Sequence, residues 1–128
     1  MDKFMRAAVD QTEIGLQEGG IPIGAALVLG GEVVALGHNR RVQERNRVLH
    51  AEIDCFRNAG LEVGVRGATL YSILMPCYLC AGAAVQFGIR QGRDQRFGER
   101  AGRCIAGLDF LSKRGLRLWP DLVQRRSP

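Results

Sequence analysis

The order of apolar and polar segments along the chain constrains its fold more than any other feature of the sequence. Two apolar runs, at residues 25–29 and 32–36, are separated by Gly30 and Gly31. A glycine pair between two such runs is typical of the tight turn of a β-hairpin. Before the hairpin, apolar residues spaced among charges predict an amphipathic helix over residues 2–18.

The middle of the chain alternates helices with a strand. A helix is predicted from about residue 50 to 58, closed by Gly60, and β-propensity predicts a strand at residues 68–73. Pro76 precedes a second helix over residues 77–87. Strands that alternate with helices favour an α/β domain with helices packed on a mixed sheet. The full length of 128 residues allows one compact domain, spanning 1–128, and not two with independent cores.

The C-terminal part departs from this regularity. Residues 90–96 show no apolar period, so they do not predict the strand expected after the second helix, whereas residues 108–114 and 116–119 suggest a final helix and a short strand. Residues 1–89 hold 8 basic and 9 acidic side chains, a net charge of −1, and residues 90–128 hold 10 and 4, a net charge of +6. The basic excess therefore belongs to an atypical C-terminal part of the domain.

The cysteines and the absence of certain segments indicate a compartment. The N-terminus lacks the long apolar run of a secretory signal, and no apolar stretch approaches the roughly 20 residues that span a bilayer. These features predict a cytoplasmic protein without membrane association. In that compartment the close pair Cys77 and Cys80 indicates metal or redox chemistry more often than a structural disulfide.

Two motifs at predicted helix starts supply the residues of a metal site. His50 and the pair Cys77 and Cys80 form the His, Cys, Cys ligand set of a zinc site that keeps a fourth position open for water. Glu52, two residues after His50, would stand next to that position, where a carboxylate can transfer protons as a general acid and base. The combination H-x-E with P-C-x-x-C is the known signature of zinc-dependent nucleobase deaminases.

Two other interpretations of the same residues remain open. The CxxC pair alone would fit a thioredoxin-like redox site. A closed, purely structural zinc site would need a fourth protein ligand, for which His38 and Cys55 are the nearest candidates and Cys104 a remote one. Cys55 is more simply read as a small buried residue and His38 as a polar residue at a strand end.

Longer segments extend the pattern beyond these motifs. Residues 18–24, 37–39, 50–60, 69–71 and 76–83 resemble, in order, the fungal-type cytosine deaminases of the cytidine deaminase superfamily. The resemblance spans residues 1–89. It implies a three-layer α/β/α fold with a central mixed sheet, one Zn²⁺ per subunit, a homodimer, and hydrolysis of free cytosine to uracil and ammonia.

The resemblance also implies roles for individual residues. His50, Cys77 and Cys80 match the zinc ligands of the family, and Glu52 matches its proton shuttle. Asn39 matches the asparagine whose amide recognises the base. The pocket wall would include Ile23, Ala51, Leu74 and Met75. Asn39 could instead be a turn residue, and the apolar positions could belong to the core.

The resemblance weakens after residue 89. Charged and amide side chains occupy the place of an apolar strand, and the chain ends soon after residues 119–121, without the longer segment that closes over the base in fungal relatives. Phe97, Trp119 and Asp121 are conceivable substitutes for its aromatic and acidic residues.

Three rival functions follow from the same sequence. A tRNA or single-stranded nucleic-acid deaminase shares the motifs, and Arg40, Arg41, Arg45 and Arg47 could contact phosphates, although residues 46–49 replace the segment usual in the tRNA enzymes. A related pocket could take guanine or another amino-heterocycle. A non-catalytic zinc domain that binds nucleic acid through its basic part would not need Glu52.

Overall fold

A computed structural model describes residues 2–74, 76–89 and 91–94. Within these residues, three helices and four strands follow one another along the chain. They are α1 (Lys3–Gln17), β1 (Gly24–Leu29), β2 (Glu32–His38), α2 (Ala51–Ala59), β3 (Thr69–Ser72), α3 (Tyr78–Gln86) and β4 (Gln91–Asp94). None of the helices among the described residues has the length and apolar character needed to cross a membrane.

The four strands form one mixed sheet in the order β2-β1-β3-β4. Strand β1 is antiparallel to both of its neighbours, and β3 and β4 are parallel. Gly30 and Gly31 join β1 to β2 with φ of 61° and 78°, a conformation that glycine adopts without steric cost. The predicted hairpin and mixed sheet are thus confirmed.

Alternate side chains of β1 pack against helices on opposite faces of the sheet. Ala26 and Val28 pack with Met5 and Ala8 of α1 on one face of the sheet. On the other face, Ala25 and Leu27 belong to a cluster that holds the helices α2 and α3, through Ala51, Cys55, Ala59 and Ala84. A strand with a two-residue side-chain period, buried on both faces, produces this arrangement. The fold is therefore the expected α/β architecture with helices on both faces of the sheet.

Helix α2 packs directly on the backbone of β2 at Gly37. A Cβ atom added to Gly37 would lie 2.7 Å from Cys55 Cα and 2.8 Å from the carbonyl oxygen of Ala51. Real Cβ atoms essentially never approach other atoms so closely. The missing side chain is therefore what allows α2, and the residues at its start, to lie so near the sheet.

The sequence left open whether residues 90–96 form the expected strand, and Gln91–Asp94 do form one. Strand β4 pairs in parallel with β3, with Thr69 opposite Gln91 and Ser72 opposite Asp94. Ladder hydrogen bonds join backbone groups, so an outer strand can form on the free edge of β3 without an apolar side-chain pattern. The predicted helix at 108–114 and strand at 116–119 lie outside the described residues, as do Phe97, Cys104, Trp119 and Asp121.

Candidate metal centre

His50 and Cys77 occupy equivalent positions at the starts of two helices. His50 is the N-cap residue of α2 and Cys77 the N-cap residue of α3, both with extended backbone. Neither side chain makes a capping hydrogen bond. The two side chains are therefore available for another partner, and the prediction that both motifs lie at helix starts is confirmed.

The three predicted ligands meet at one place. The donor atoms of His50, Cys77 and Cys80 all lie within 4.8 Å of one another. Cys77 Sγ lies 3.5 Å from His50 Nδ1 and 3.8 Å from Cys80 Sγ. Tetrahedral zinc, with bonds of about 2.3 Å to sulfur and 2.05 Å to nitrogen, separates two sulfurs by about 3.8 Å and a sulfur from a nitrogen by about 3.6 Å. The separations of Cys77 Sγ from His50 Nδ1 and from Cys80 Sγ therefore match those in a tetrahedral zinc site.

No fourth protein ligand joins the cluster from the part of the chain that the structure describes. His38 ends β2, where its Nδ1 lies 3.0 Å from Gln11 Oε1 and its Nε2 lies 2.7 Å from Glu18 Oε1. Cys55 lies in the core, and burial raises the pKa of its thiol to about 12. Both residues have the structural roles predicted for them, which disfavours a closed site completed by either one.

The second cysteine of the pair is buried beside Glu52. Burial, followed by the charge of Glu52, raises the pKa of the Cys80 thiol above its ordinary value. Such a thiol loses its proton most readily when a divalent metal binds the sulfur. The imidazole of His50 lies 3.5 Å from Cys77 Sγ, so the pair is placed to bind a metal together with a third ligand, which disulfide exchange does not need.

Glu52 is a buried carboxylate next to this cluster. It is 5% exposed on the first turn of α2, and Ser72 Oγ at the end of β3 donates a 2.6 Å hydrogen bond to its Oε1. Sequence reasoning missed Ser72, whose only signal was its position at the end of the strand between the two motifs. The Ser72 hydroxyl therefore holds the Glu52 carboxylate in a fixed orientation beside the cluster.

The remaining predicted site residues have mixed environments. Asn39 is buried just after β2, where its backbone N–H donates to the Ile23 carbonyl at 2.9 Å and its Oδ1 accepts from the Arg41 N–H at 3.1 Å. The side chain therefore forms the turn that was its alternative interpretation, while its Nδ2 makes no hydrogen bond to another described residue. Ile23 and Ala51 pack in the core and Leu74 is exposed. Met75 lies outside the described residues.

The chain is similar to one protein family, to several curated proteins and to several solved structures. The model of the cytidine and deoxycytidylate deaminase zinc-binding region matches residues 1–92. A cytosine deaminase of Candida albicans is 36% identical over 92 residues, which cover 70% of this chain and 61% of that protein. A tRNA-specific adenosine deaminase of Bacillus subtilis is 40% identical over 85 residues, covering 64% and 53%.

Among solved structures, a guanine deaminase from Bacillus subtilis superposes with a TM-score of 0.67 at 27% identity, covering 88% of this chain and 76% of that one. The matches thus include proteins of three substrate classes, and the tRNA-specific relative is at least as similar as the cytosine deaminase. Similarity supports the superfamily and does not favour the fungal-type enzymes within it. The chain spans a little over half the length of these two curated relatives.

Proposed function

The chain belongs to the cytidine and deoxycytidylate deaminase family, and on that premise we propose that it deaminates a free nucleobase, converting cytosine to uracil and ammonia. The observation that carries the proposal is Glu52, a buried carboxylate beside a His, Cys, Cys cluster spaced for zinc. A structural zinc site has no use for a buried carboxylate at this position, whereas hydrolytic deamination requires a proton carrier there.

The zinc held by His50, Cys77 and Cys80 would lower the pKa of bound water and so supply a nucleophile at neutral pH. Glu52 accepts the proton released when water adds to the carbon that bears the amino group. It donates that proton to the ring nitrogen, then takes the proton of the newly added hydroxyl and passes it to the amino group, so that the carbonyl forms and ammonia leaves. The Ser72 hydroxyl fixes one carboxylate oxygen throughout and so aims the other at the base.

Asn39 supplies a hydrogen-bond donor suited to a nucleobase. Its amide is buried, its oxygen is committed to the turn, and its Nδ2 can donate to the carbonyl oxygen at a pyrimidine edge. A donor held in this way contributes to orientation as well as to affinity, since the buried turn restricts its rotation. The pocket roles of Ile23, Ala51, Leu74 and Met75 belong to the same proposal, as do a homodimer and a cytoplasmic location.

The test is a substrate panel on the zinc-loaded protein, with ammonia release as the readout. The panel contains cytosine, 5-substituted cytosines, guanine, cytidine and a tRNA anticodon stem-loop, and we expect cytosine to be turned over. Glu52→Gln should keep its zinc and lose at least a hundredfold in kcat. Glu13→Gln is the matched control, because it makes the same change on the exposed side of α1. Normal turnover by a zinc-loaded Glu52→Gln protein would refute the role of Glu52.

One surface feature favours a second candidate, deamination of a base within RNA. Arg41, Arg45 and Arg47 are exposed on the loop that joins Asn39 to His50, where they could contact phosphates next to the site. Turnover of the stem-loop without turnover of cytosine would establish this candidate instead. Retention of the stem-loop should then weaken steeply with salt, and replacement of the three arginines should flatten that dependence.

A further inference from the structure

Asp54 is a fully buried charge that the proposed chemistry does not use. It lies on α2 with 0% exposure, and an isolated carboxylate in such a place would be strongly destabilising. Its charge is balanced by two guanidinium groups. Arg40 Nε donates to both carboxylate oxygens at 3.0 and 3.1 Å, and Arg57 Nη2 donates to Oδ1 at 2.6 Å.

The partners of Asp54 lie on both sides of Asn39. Besides the Arg40 side chain, the backbone N–H of His38 donates to Asp54 Oδ2 at 3.0 Å. Residues 38 and 40 are thus bound to the same carboxylate, and the residue between them is the amide proposed to hold the base. The Arg40 N–H also donates at 3.0 Å to the carbonyl of Leu49, which immediately precedes His50.

The backbone of Asp54 is tied to the metal site itself. Its N–H donates at 2.9 Å to the carbonyl of His50, the first hydrogen bond of α2. The backbone of Asp54 therefore binds His50, and its side chain binds the residues on either side of Asn39. This connection fixes the separation of a metal ligand and a base-binding group that are 11 positions apart in the sequence.

We propose that the Asp54 and Arg40 pair is the positioning element of the site, which sets Asn39 at a fixed distance from the metal. The proposal rests on the proposed function for the role of Asn39. Arg57 differs from Arg40 in this respect. It lies three positions after Asp54 on α2, and its other partner is the side chain of Glu44, whereas Arg40 directly follows Asn39 in the chain.

The test compares Arg40→Ala with Arg57→Ala in the full zinc-loaded chain. Each variant removes one guanidinium from Asp54, so both should lower Tm. Asp54 itself is a poorer choice for substitution, because its loss would leave two cations facing each other. We expect Arg40→Ala alone to raise KM for cytosine at least tenfold with kcat within twofold of wild type, since Asn39 would bind the base equally in ground and transition states.

A second measurement does not depend on the substrate. The backbone amides of Asn39 and Arg40 are hydrogen-bonded to Ile23 and Leu49, and their hydrogen exchange should become at least tenfold faster in Arg40→Ala and stay unchanged in Arg57→Ala. Equal effects of the two variants on KM or on exchange would overturn the proposal. So would a change in KM without faster exchange, or no change in either quantity. If the wild-type protein deaminates no free base, the proposed function fails while the exchange comparison still decides the positioning role.

Discussion

Replacing Gly37 with alanine tests whether close packing of α2 on β2 supports the metal centre. The added Cβ would lie 2.7 Å from Cys55 Cα and 2.8 Å from the Ala51 carbonyl oxygen, both backbone atoms of a helix. Neither atom can move without moving α2. Gly37 does not have a positive φ, so the substitution adds no backbone strain of its own.

The expected loss lies near the upper end of the range for overpacking, about 3 kcal/mol, because the obstruction is helix backbone and not a flexible side chain. For a domain of this size, that corresponds to a fall in Tm of about 10 °C. Since α2 begins at His50 and carries Glu52, the shift should also weaken zinc binding. Urea unfolding followed by circular dichroism measures the first effect, and competition with a chromogenic chelator measures the second.

Gly64→Ala is the control for this substitution. No described atom lies within 4 Å of the added Cβ, and Gly64 does not have a positive φ. We expect its stability to be unchanged or to rise by up to about 1 kcal/mol. About 0.5 kcal/mol is the error of comparing the free energies of unfolding from two such curves. If the free energy of unfolding of Gly37→Ala lies within that range of wild type, with an unchanged slope against urea, the packing argument is refuted.

Three further predictions concern the site and the cysteines. Ser72→Ala removes the hydrogen bond to Glu52 and should lower kcat about tenfold with zinc content unchanged, and a kcat within twofold of wild type would contradict the role given to Ser72. Cys55, with a pKa of about 12, should resist alkylation by iodoacetamide at pH 8 in the folded protein. The exposed Cys77 should be alkylated in the metal-free protein and protected by zinc. Peptide mapping by mass spectrometry distinguishes the two cysteines. Chelation should lower Tm and abolish activity, with both restored by added zinc; a Tm insensitive to chelation would show that the metal does not stabilise the fold.

The sequence predicted the helices and the hairpin closely because local signals mark them. Observed α1, α2 and α3 begin and end within about two residues of their predicted limits, since Asp2 caps α1 and Gly60 follows α2. Strand β4 could not be predicted because its pairing is a property of the backbone and of the free edge of β3, neither of which leaves a pattern in the side chains.

The metal ligands were predictable because zinc demands particular residue types at particular spacings. The residues that hold the site in place were not. Ser72 and Arg40 act on partners 20 and 14 positions away, and only the packing of α2 against the sheet brings each pair together. The pocket roles assigned by resemblance to Ile23 and Leu74 remain predictions, as does recognition of the base by Asn39.

The use of two helix-capping positions for His50 and Cys77 links the protein's persistence in a cell to the supply of metal. At such positions serine, threonine, aspartate or asparagine would stabilise each helix start by about 1 kcal/mol, but each would remove a ligand. Mutation cannot improve the fold at these two positions without destroying the site. The amount of folded protein should therefore follow the supply of zinc, and scarcity of the metal would lower the amount of protein as well as its activity.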